Sequence, residues 1–246
     1  MAEKDDRWVV VSGAGGALGS ALAAHYGALG RRVLALDRQF APNETSTNGV
    51  TTQTVNLLNE EDVCRVIADS LGAEDQISLL VNAAGQIWNE PLLVFRGSKL
   101  VTHNLDTWRS VTDANLTAPF ILAKHVAAHM VRNGGGCIVN FSSISSSGNA
   151  GQAAYSAAKA GIEALTQTMA IELGPLGVRV NALALGFIDV ATTRQAVADR
   201  RLQQYSERTP LGRLGRLDEV ISAVDFFAAN TFVNGAIVRV DGGLRL

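Results

Sequence analysis

Tyr155 and Lys159, four residues apart, are the pair in this 246-residue chain best suited by type and spacing to move a proton. They open a run, Ala154 to Leu173, in which Ile162, Leu165, Met169 and Leu173 recur at helical spacing before Gly174-Pro175 stops it. Four apart on a helix, the two share a face, one a turn above the other. A free phenol titrates near ~10, too high for efficient proton exchange at neutral pH. A lysine cation about 4 Å away, at an effective dielectric of about 20, would favour the phenolate by roughly 4 kcal/mol. That is about three pKa units and brings the tyrosine near ~7, where a general acid or base works best. The same two residue types also share solvent-facing helix surfaces, so the pair draws its weight from what the chain sets around it.

Trp8-Val9-Val10-Val11-Ser12 is a short apolar run of the kind that forms a strand buried on both faces. It enters Gly13-Ala14-Gly15-Gly16-Ala17-Leu18-Gly19, and Ser20 to Leu29 then reads as helix. Strand, glycine-rich turn and helix put backbone N–H groups and a helix N-terminus where a pyrophosphate can sit. On this reading the glycines are there because a Cβ would hold the phosphate off the backbone. Arg32 to Asp37 is the second strand. Asp37 follows the glycine loop at the interval where a carboxylate accepts both hydroxyls of an adenosine ribose and repels a 2′-phosphate, favouring NAD over NADP. Arg38 pulls the other way by pairing with that phosphate; the acid, which attracts one ligand and excludes the other, weighs more.

Further along, Phe40 to Gly49 is a polar loop and Val50 to Leu57 alternates like a strand. Glu60 to Leu71 is a helix capped by Asn59, and Ile77 to Val81 is a buried strand. That strand ends in Asn82-Ala83-Ala84-Gly85, where small residues let a flat ligand lie against the backbone, although core packing also favours them. Gln86 to Asn104 is irregular, with Pro91 and Gly97 breaking any period. Asp106 caps a helix running to about Val131, and Asn115 within it faces solvent by default or, if buried, needs partners. Cys137 to Phe141 is the next strand and delivers Ser142-Ser143, which either polarise a substrate oxygen or begin a polar loop. Val178 to Leu183 follows, turning out through Leu185-Gly186-Phe187-Ile188. Asp189 to Arg208 holds one or two short helices, Leu217 to Ala229 the last helix, and Ala236 to Val240 the seventh strand.

Strands alternating with helices imply an α/β domain spanning 1–246: a doubly wound, mostly parallel, seven-stranded Rossmann-like sheet with helices on both faces. Its ligand crevice lies beyond the carboxyl ends of the strands, where the glycine loop, Asp37, Asn82, Ser143 and Gly186 all fall. A net charge of -2 without a basic block argues against nucleic acid or an anionic membrane as partner, and two cysteines are too few for a disulfide framework or a structural zinc site. Met1 to Arg7 lacks the apolar core of a signal peptide, and no run reaches the ~18 to 20 apolar residues of a membrane span, so the expectation is a soluble cytoplasmic protein.

In this order and spacing, Gly13 to Gly19, Asp37, Asn82 to Gly85, Asn115, Ser142-Ser143, Tyr155-x-x-x-Lys159 and Leu185-Gly186 resemble the compact short-chain dehydrogenase/reductases, over Trp8 to Gly243. Pro210-Leu211-Gly212-Arg213 and Val240-Asp241-Gly242-Gly243 look most like the 3-oxoacyl-carrier-protein reductase-like branch. The resemblance implies an NAD(H)-dependent enzyme interconverting a secondary alcohol and a ketone, with a 3-oxoacyl or 3-hydroxyacyl group, carrier-linked or small, as one candidate substrate. It makes Tyr155 the proton donor and acceptor and gives Lys159 the task of lowering its pKa. A serine, Ser143 by strand register or Ser142 by distance from Tyr155, polarises the carbonyl, and Asn115 holds a water beside Lys159. The cofactor falls to Gly13, Gly16, Leu18, Gly19, Asp37, Asn56, Leu57, Asn82, Ala83, Ala84, Gly85, Tyr155, Lys159, Gly186 and Ile188, with no metal. Three residues depart from the family pattern: Ala17 for a glycine, Leu185 for a proline and Val190 for a threonine. They motivate a rival reading, a non-catalytic dinucleotide-binding regulator. Small residues from Ala157 to Ala164 suit a helix-to-helix interface in a homotetramer.

Overall fold

The apolar runs of the sequence pair side by side in one sheet. Its strands are β1 (Trp8–Ser12), β2 (Arg32–Asp37), β3 (Val50–Thr54) and β4 (Ile77–Asn82), then, beyond a separate hairpin of β5 (Leu93–Arg96) and β6 (Lys99–Thr102), β7 (Gly136–Ser143), β8 (Val178–Leu185) and β9 (Ile237–Val240). The computed structural model describes residues 5–40, 49–196 and 199–246. The seven strands of the main sheet are all parallel, in the order β3-β2-β1-β4-β7-β8-β9. The polar loop expected from Phe40 to Gly49 lies outside the described residues except at its two ends, and Met1 to Lys4 lie outside them as well.

Side chains alternate across each strand, so the sheet has two cores. On one face Val9, Val11, Val33 and Ala35 pack with Leu22 and Tyr26 of α1 (Ala17–Ala28) and Val220, Val224 and Phe227 of α8 (Leu217–Ala229). On the other, Trp8, Val10, Leu34 and Leu36 meet three helices. These are α2 (Glu60–Ser70) through Val63 and Ile67, α4 (Ala118–Arg132) through Leu122 and Met130, and α5 (Ala153–Leu173) through Met169. Each fully buried Leu, Ile or Phe contributes roughly 1.5–3 kcal/mol of transfer free energy. This double cover is why central strands such as β1 and β4 read as largely apolar runs, whereas the edge strand β3 does not.

The chain lays down β1, β2 and β3 in one direction, then crosses to the other side of β1 for β4. The ends of β1 and β4 therefore part, with Ser12 level with Asn82, and a crevice opens where the strand order reverses.

Three segments depart from expectation. Gln86 to Asn104 is not irregular throughout: Pro91 precedes the antiparallel hairpin β5–β6, and Gly97, at φ +64°, makes its turn. Asn104, not Asp106, caps the next helix, α3 (Leu105–Thr112), its carboxamide oxygen accepting the N–H groups of Asp106 (2.7 Å) and Thr107 (3.2 Å). The single helix expected to Val131 is two, α3 and α4, joined by a π-turn over Asp113–Thr117. The stretch from Asp189 holds α6 (Ala191–Ala196) and α7 (Asp199–Arg208).

Candidate active site

A crevice of about 940 Å³ runs along the carboxyl ends of the strands, with the glycine loop and Asp37 at one end and Tyr155, Lys159 and Ser143 at the other. At the first end Gly13 has φ +69°, and a Cβ there would stand 2.6 Å from Ala84 N. Gly19 is likewise pressed against the carbonyl of Gly13. Close packing of chain on chain therefore already requires both glycines, Gly13 against the end of β4 and Gly19 against Gly13. Gly16, whose nearest neighbour would be 3.3 Å from an added Cβ, is the freer of them.

α1 starts at Gly16 with no side chain capping it and no acid in its first turn. Its first N–H groups, on Ala17, Leu18 and Gly19 along the crevice, are therefore the uncapped donors of a helix N-terminus, which suits an anion. Asp37 Oδ2 accepts the N–H of Gly15 (2.9 Å) and Oδ1 that of Gln39 (3.2 Å). Backbone bonds thus aim the carboxylate and leave each oxygen a further lone pair for a hydroxyl. Arg38, Asn56 and Leu57 line the same end. A dinucleotide fits this donor set: uncapped N–H groups for the pyrophosphate and a positioned carboxylate for a ribose.

The β4 end supplies Ala83, Ala84 and Gly85 to the crevice, but not Asn82. Asn82 is buried behind it, its amide donating to Asn140 Oδ1 (2.9 Å) and its oxygen facing the Ser12 hydroxyl (3.5 Å). The side chain expected to touch a cofactor instead ties neighbouring strands together. Ser12 Oγ also accepts the N–H of Ala84 (3.3 Å), so this network reaches the crevice through the backbone.

Asn115 lies in the π-turn and is buried, against the solvent-facing default of a mid-helix asparagine. Its amide donates to the carbonyls of Val111 and Gln86 (2.9 Å each), and its oxygen accepts the N–H of Gln86 (3.2 Å). The wall just past Gly85 is thereby pinned beside Lys159: a Cβ on Gly85 would stand 2.6 Å from Asn115 Oδ1 and 3.6 Å from Lys159 Nζ.

The two serines end β7 facing different ways. Ser142 Oγ donates to Glu163 Oε1 (2.6 Å), on α5 four residues beyond Lys159. Ser143 Oγ accepts the N–H of Ser145 (3.1 Å) and bonds the phenol of Tyr155, which favours phenolate. The serine beside Tyr155 is Ser143, as strand register indicates.

Tyr155 and Lys159 are both buried, and Lys159 Nζ lies 5.7 Å from the centre of the Tyr155 ring while donating to Phe141 O (2.8 Å). Burial dominates both: it pushes the phenol up to about 12, against the partial relief from Ser143, and brings the ammonium down to about 8. The expectation of a phenol near ~7 is not met. It counted the attraction of the cation and omitted the desolvation that the site imposes on both groups.

Gly186 and Ile188 border the crevice past β8; a Cβ on Gly186 would stand 2.7 Å from the Asp241 Cα. Sequence reasoning missed Gln39, Ile87, Ser145 and Gln152 on the lining. Only Gln152 carried a signal, its place one turn before Tyr155 at the start of α5. It is buried, donating to Asn89 Oδ1 (2.8 Å) and accepting from the Asn149 amide (2.9 Å).

A family model described as "Enoyl-(Acyl carrier protein) reductase" matches residues 13–245. A 3-oxoacyl-[acyl-carrier-protein] reductase of Synechocystis is 34% identical, the match covering 96% of this chain and 95% of the relative. A gluconate 5-dehydrogenase of Gluconobacter oxydans is 31% identical, covering 96% and 94%. The solved structure of an aldohexose dehydrogenase of Thermoplasma acidophilum superposes with a TM-score of 0.84 at 29% identity, over 97% of this chain and 94% of that one. The chain belongs to the short-chain dehydrogenase/reductase family, in its 3-oxoacyl reductase-like branch. It is an oxidoreductase of the nicotinamide-dependent ketoreductase and alcohol dehydrogenase class.

Proposed function

We propose that the protein interconverts a secondary alcohol and a ketone with NAD, using Tyr155 to give and take the hydroxyl proton. The observation that carries this reading is the meeting of Tyr155, Ser143 and Lys159 in one buried corner of a crevice whose far end holds the uncapped glycine loop and Asp37. When bound, the dinucleotide supplies or accepts the hydride. The N–H groups around Gly13, Gly16, Leu18 and Gly19 would hold its pyrophosphate and Asp37 its adenosine ribose. Asn56 and Leu57 would lie by the adenine, with Ala83, Ala84, Gly85, Gly186 and Ile188 around the nicotinamide half.

The chain's own residues handle the proton. In reduction, Tyr155 Oη passes its proton to the carbonyl oxygen while the Ser143 hydroxyl bonds the same oxygen and stabilises the charge growing there. A phenol held at about 12 is fully protonated at neutral pH, the form that reduction needs. Oxidation needs the phenolate, and Lys159 and Ser143 are the groups placed to stabilise it. Asn115 keeps the wall beside Lys159 in place through Gln86.

Asp37 supports NAD over NADP. The name of the Synechocystis relative supports a 3-oxoacyl group, carrier-linked or small, as one candidate. Ala157, Ala160 and Ala164 on the outer face of α5 are exposed and support a helix-to-helix interface in a homotetramer, whereas Gly161 packs inward on Leu116. Among the described residues no helix is long and apolar enough to cross a membrane, and we place the enzyme in the cytoplasm without nucleic acid as partner.

The test is oxidation of an alcohol panel with NAD and with NADP by wild type and Tyr155→Phe. We expect turnover to fall by about 10³-fold in the variant with dinucleotide affinity kept. Equal rates from the two proteins would overturn the reading.

A further inference from the structure

The end of the crevice where a substrate must meet Tyr155 is short of charge and of free polar side chains. Of the residues lining the whole crevice, the charged ones among the described residues are Asp37, Arg38 and Lys159, and the first two lie at the adenosine end. Lys159 is buried and donates to the carbonyl of Phe141, so among the described lining residues no free cation faces an anionic substrate.

Three side-chain amides reach this end, and the protein already engages each. Gln86 donates to Ser110 Oγ (3.2 Å), Asn115 bonds the backbone of Val111 and Gln86, and Gln152 is held between Asn89 and Asn149. What remains on the walls is largely apolar. Ile87 packs against Val111, Ala154 and Tyr155, and Ile144, Phe187 and Val190 line the same end, with Ser145 and Thr193 as its polar exceptions beside the serines of β7. From Ile87 the chain leaves the crevice through the half-exposed Trp88 to the β5–β6 hairpin. One face of that hairpin sets Phe95 directly across from Leu100, with Leu93 beside them.

Accepting the assignment of Tyr155 and Ser143 above, we propose that this crevice selects an uncharged substrate with hydrocarbon flanking the reacting carbon, and discriminates against free carboxylates and polyols. A carboxylate here would lose its water and gain no cation. A polyol would find the nearby amides committed elsewhere and only the Ser145 and Thr193 hydroxyls besides Ser143 and Tyr155, too few for its several hydroxyl groups. This separates the chain from relatives named for gluconate and aldohexose, whose substrates carry such groups.

The experiment compares matched pairs: 4-oxocyclohexanecarboxylate with its methyl ester, and 3-oxohexanoate with its ethyl ester, each reduced with NADH, and gluconate and glucose oxidised with NAD. We expect kcat/KM for each ester to exceed that of its acid by about 100-fold or more, and no turnover of gluconate or glucose. An acid within tenfold of its ester, or a sugar used as well as the esters, overturns the proposal.

Calorimetric binding of the same pairs to NADH-loaded Tyr155→Phe reads selectivity without turnover. If wild type reduces nothing but the ester binds at least tenfold tighter than the acid, the proton-transfer reading fails and the selectivity stands. Equal or absent binding of both sinks the selectivity. Ile87→Lys, which places a flexible cation on the wall, should narrow the ester-to-acid ratio by at least tenfold; an unchanged ratio in the folded variant contradicts the proposal.

Discussion

β7 and α5 face each other across two polar rungs that have opposite characters. At the lower rung Asn140 donates to Thr166 Oγ1 (2.9 Å) and receives the amide of Asn82 (2.9 Å), which continues towards Ser12. Every member is neutral and bonded, and the chain of bonds ties β1, β4, β7 and α5 together. At the upper rung, three residues further along β7, Ser143 meets Tyr155 above Lys159. These groups are buried with fewer partners: among the described residues, the lysine ammonium has the single acceptor Phe141 O. The lower rung stabilises the fold. The upper one opposes it, because burying an ammonium that is barely solvated costs free energy at neutral pH. Polar residues on the same two elements thus serve structure where they are saturated and chemistry where they are not.

The sharpest way to break this comparison is between adjacent serines. Ser143→Ala should lower kcat by about 10²-fold, since it removes a hydrogen bond to the reacting oxygen, while Ser142→Ala should change kcat by less than about fivefold. Reversed effects would assign the site to Ser142 and its partner Glu163. On the lower rung, Asn140→Ala orphans the Asn82 amide and the Thr166 hydroxyl and should cost about 3 kcal/mol of stability by urea denaturation.

Lys159→Met should do the reverse. The folded pKa of about 8 lies below an ordinary 10.5, so the folded protein binds fewer protons than the unfolded chain between those values. Wild-type stability from this group therefore rises as pH climbs from about 8 to about 10.5, and below about 8 the full penalty of roughly 3 kcal/mol applies. Tyr155, raised to about 12, works the other way only above about 10. At pH 7 Lys159→Met should be more stable than wild type by up to that amount and lack the rise between pH 8 and 10, while losing activity. The smallest effect expected is that of Asp37→Ala. It should raise the use of NADP relative to NAD by about tenfold, and an unchanged ratio would remove Asp37 from cofactor selection.

Much of this was legible in the residues. A buried parallel strand is an uninterrupted apolar run, so the central strands could be read directly, and the edge strand β3 (VTTQT) was legible by alternation instead. Asn59 was legible as a cap because its side chain accepts from Glu61 and Asp62. The β5–β6 hairpin was not, since its alternation spans only four residues a side and much of it is exposed. Nor was the π-turn at Asn115, because one extra residue in a helical turn leaves no compositional mark. Asn82 was misplaced because a strand-end asparagine can turn toward ligand or toward the next strand, and only the position of Asn140 decides. The Tyr155–Lys159 pair was found by spacing, but spacing cannot reveal how dry its surroundings are.

That dryness is tested most directly by titrating the phenols in protein labelled with 13C at tyrosine Cζ, with Tyr155 assigned by its loss in Tyr155→Phe. Only three tyrosines contribute signals. With the crevice empty, Tyr155 should remain protonated through pH 10 and titrate at about 12. A phenol already ionised near pH 7 would mean that the lysine outweighs burial, and the contrast between the two rungs would be wrong.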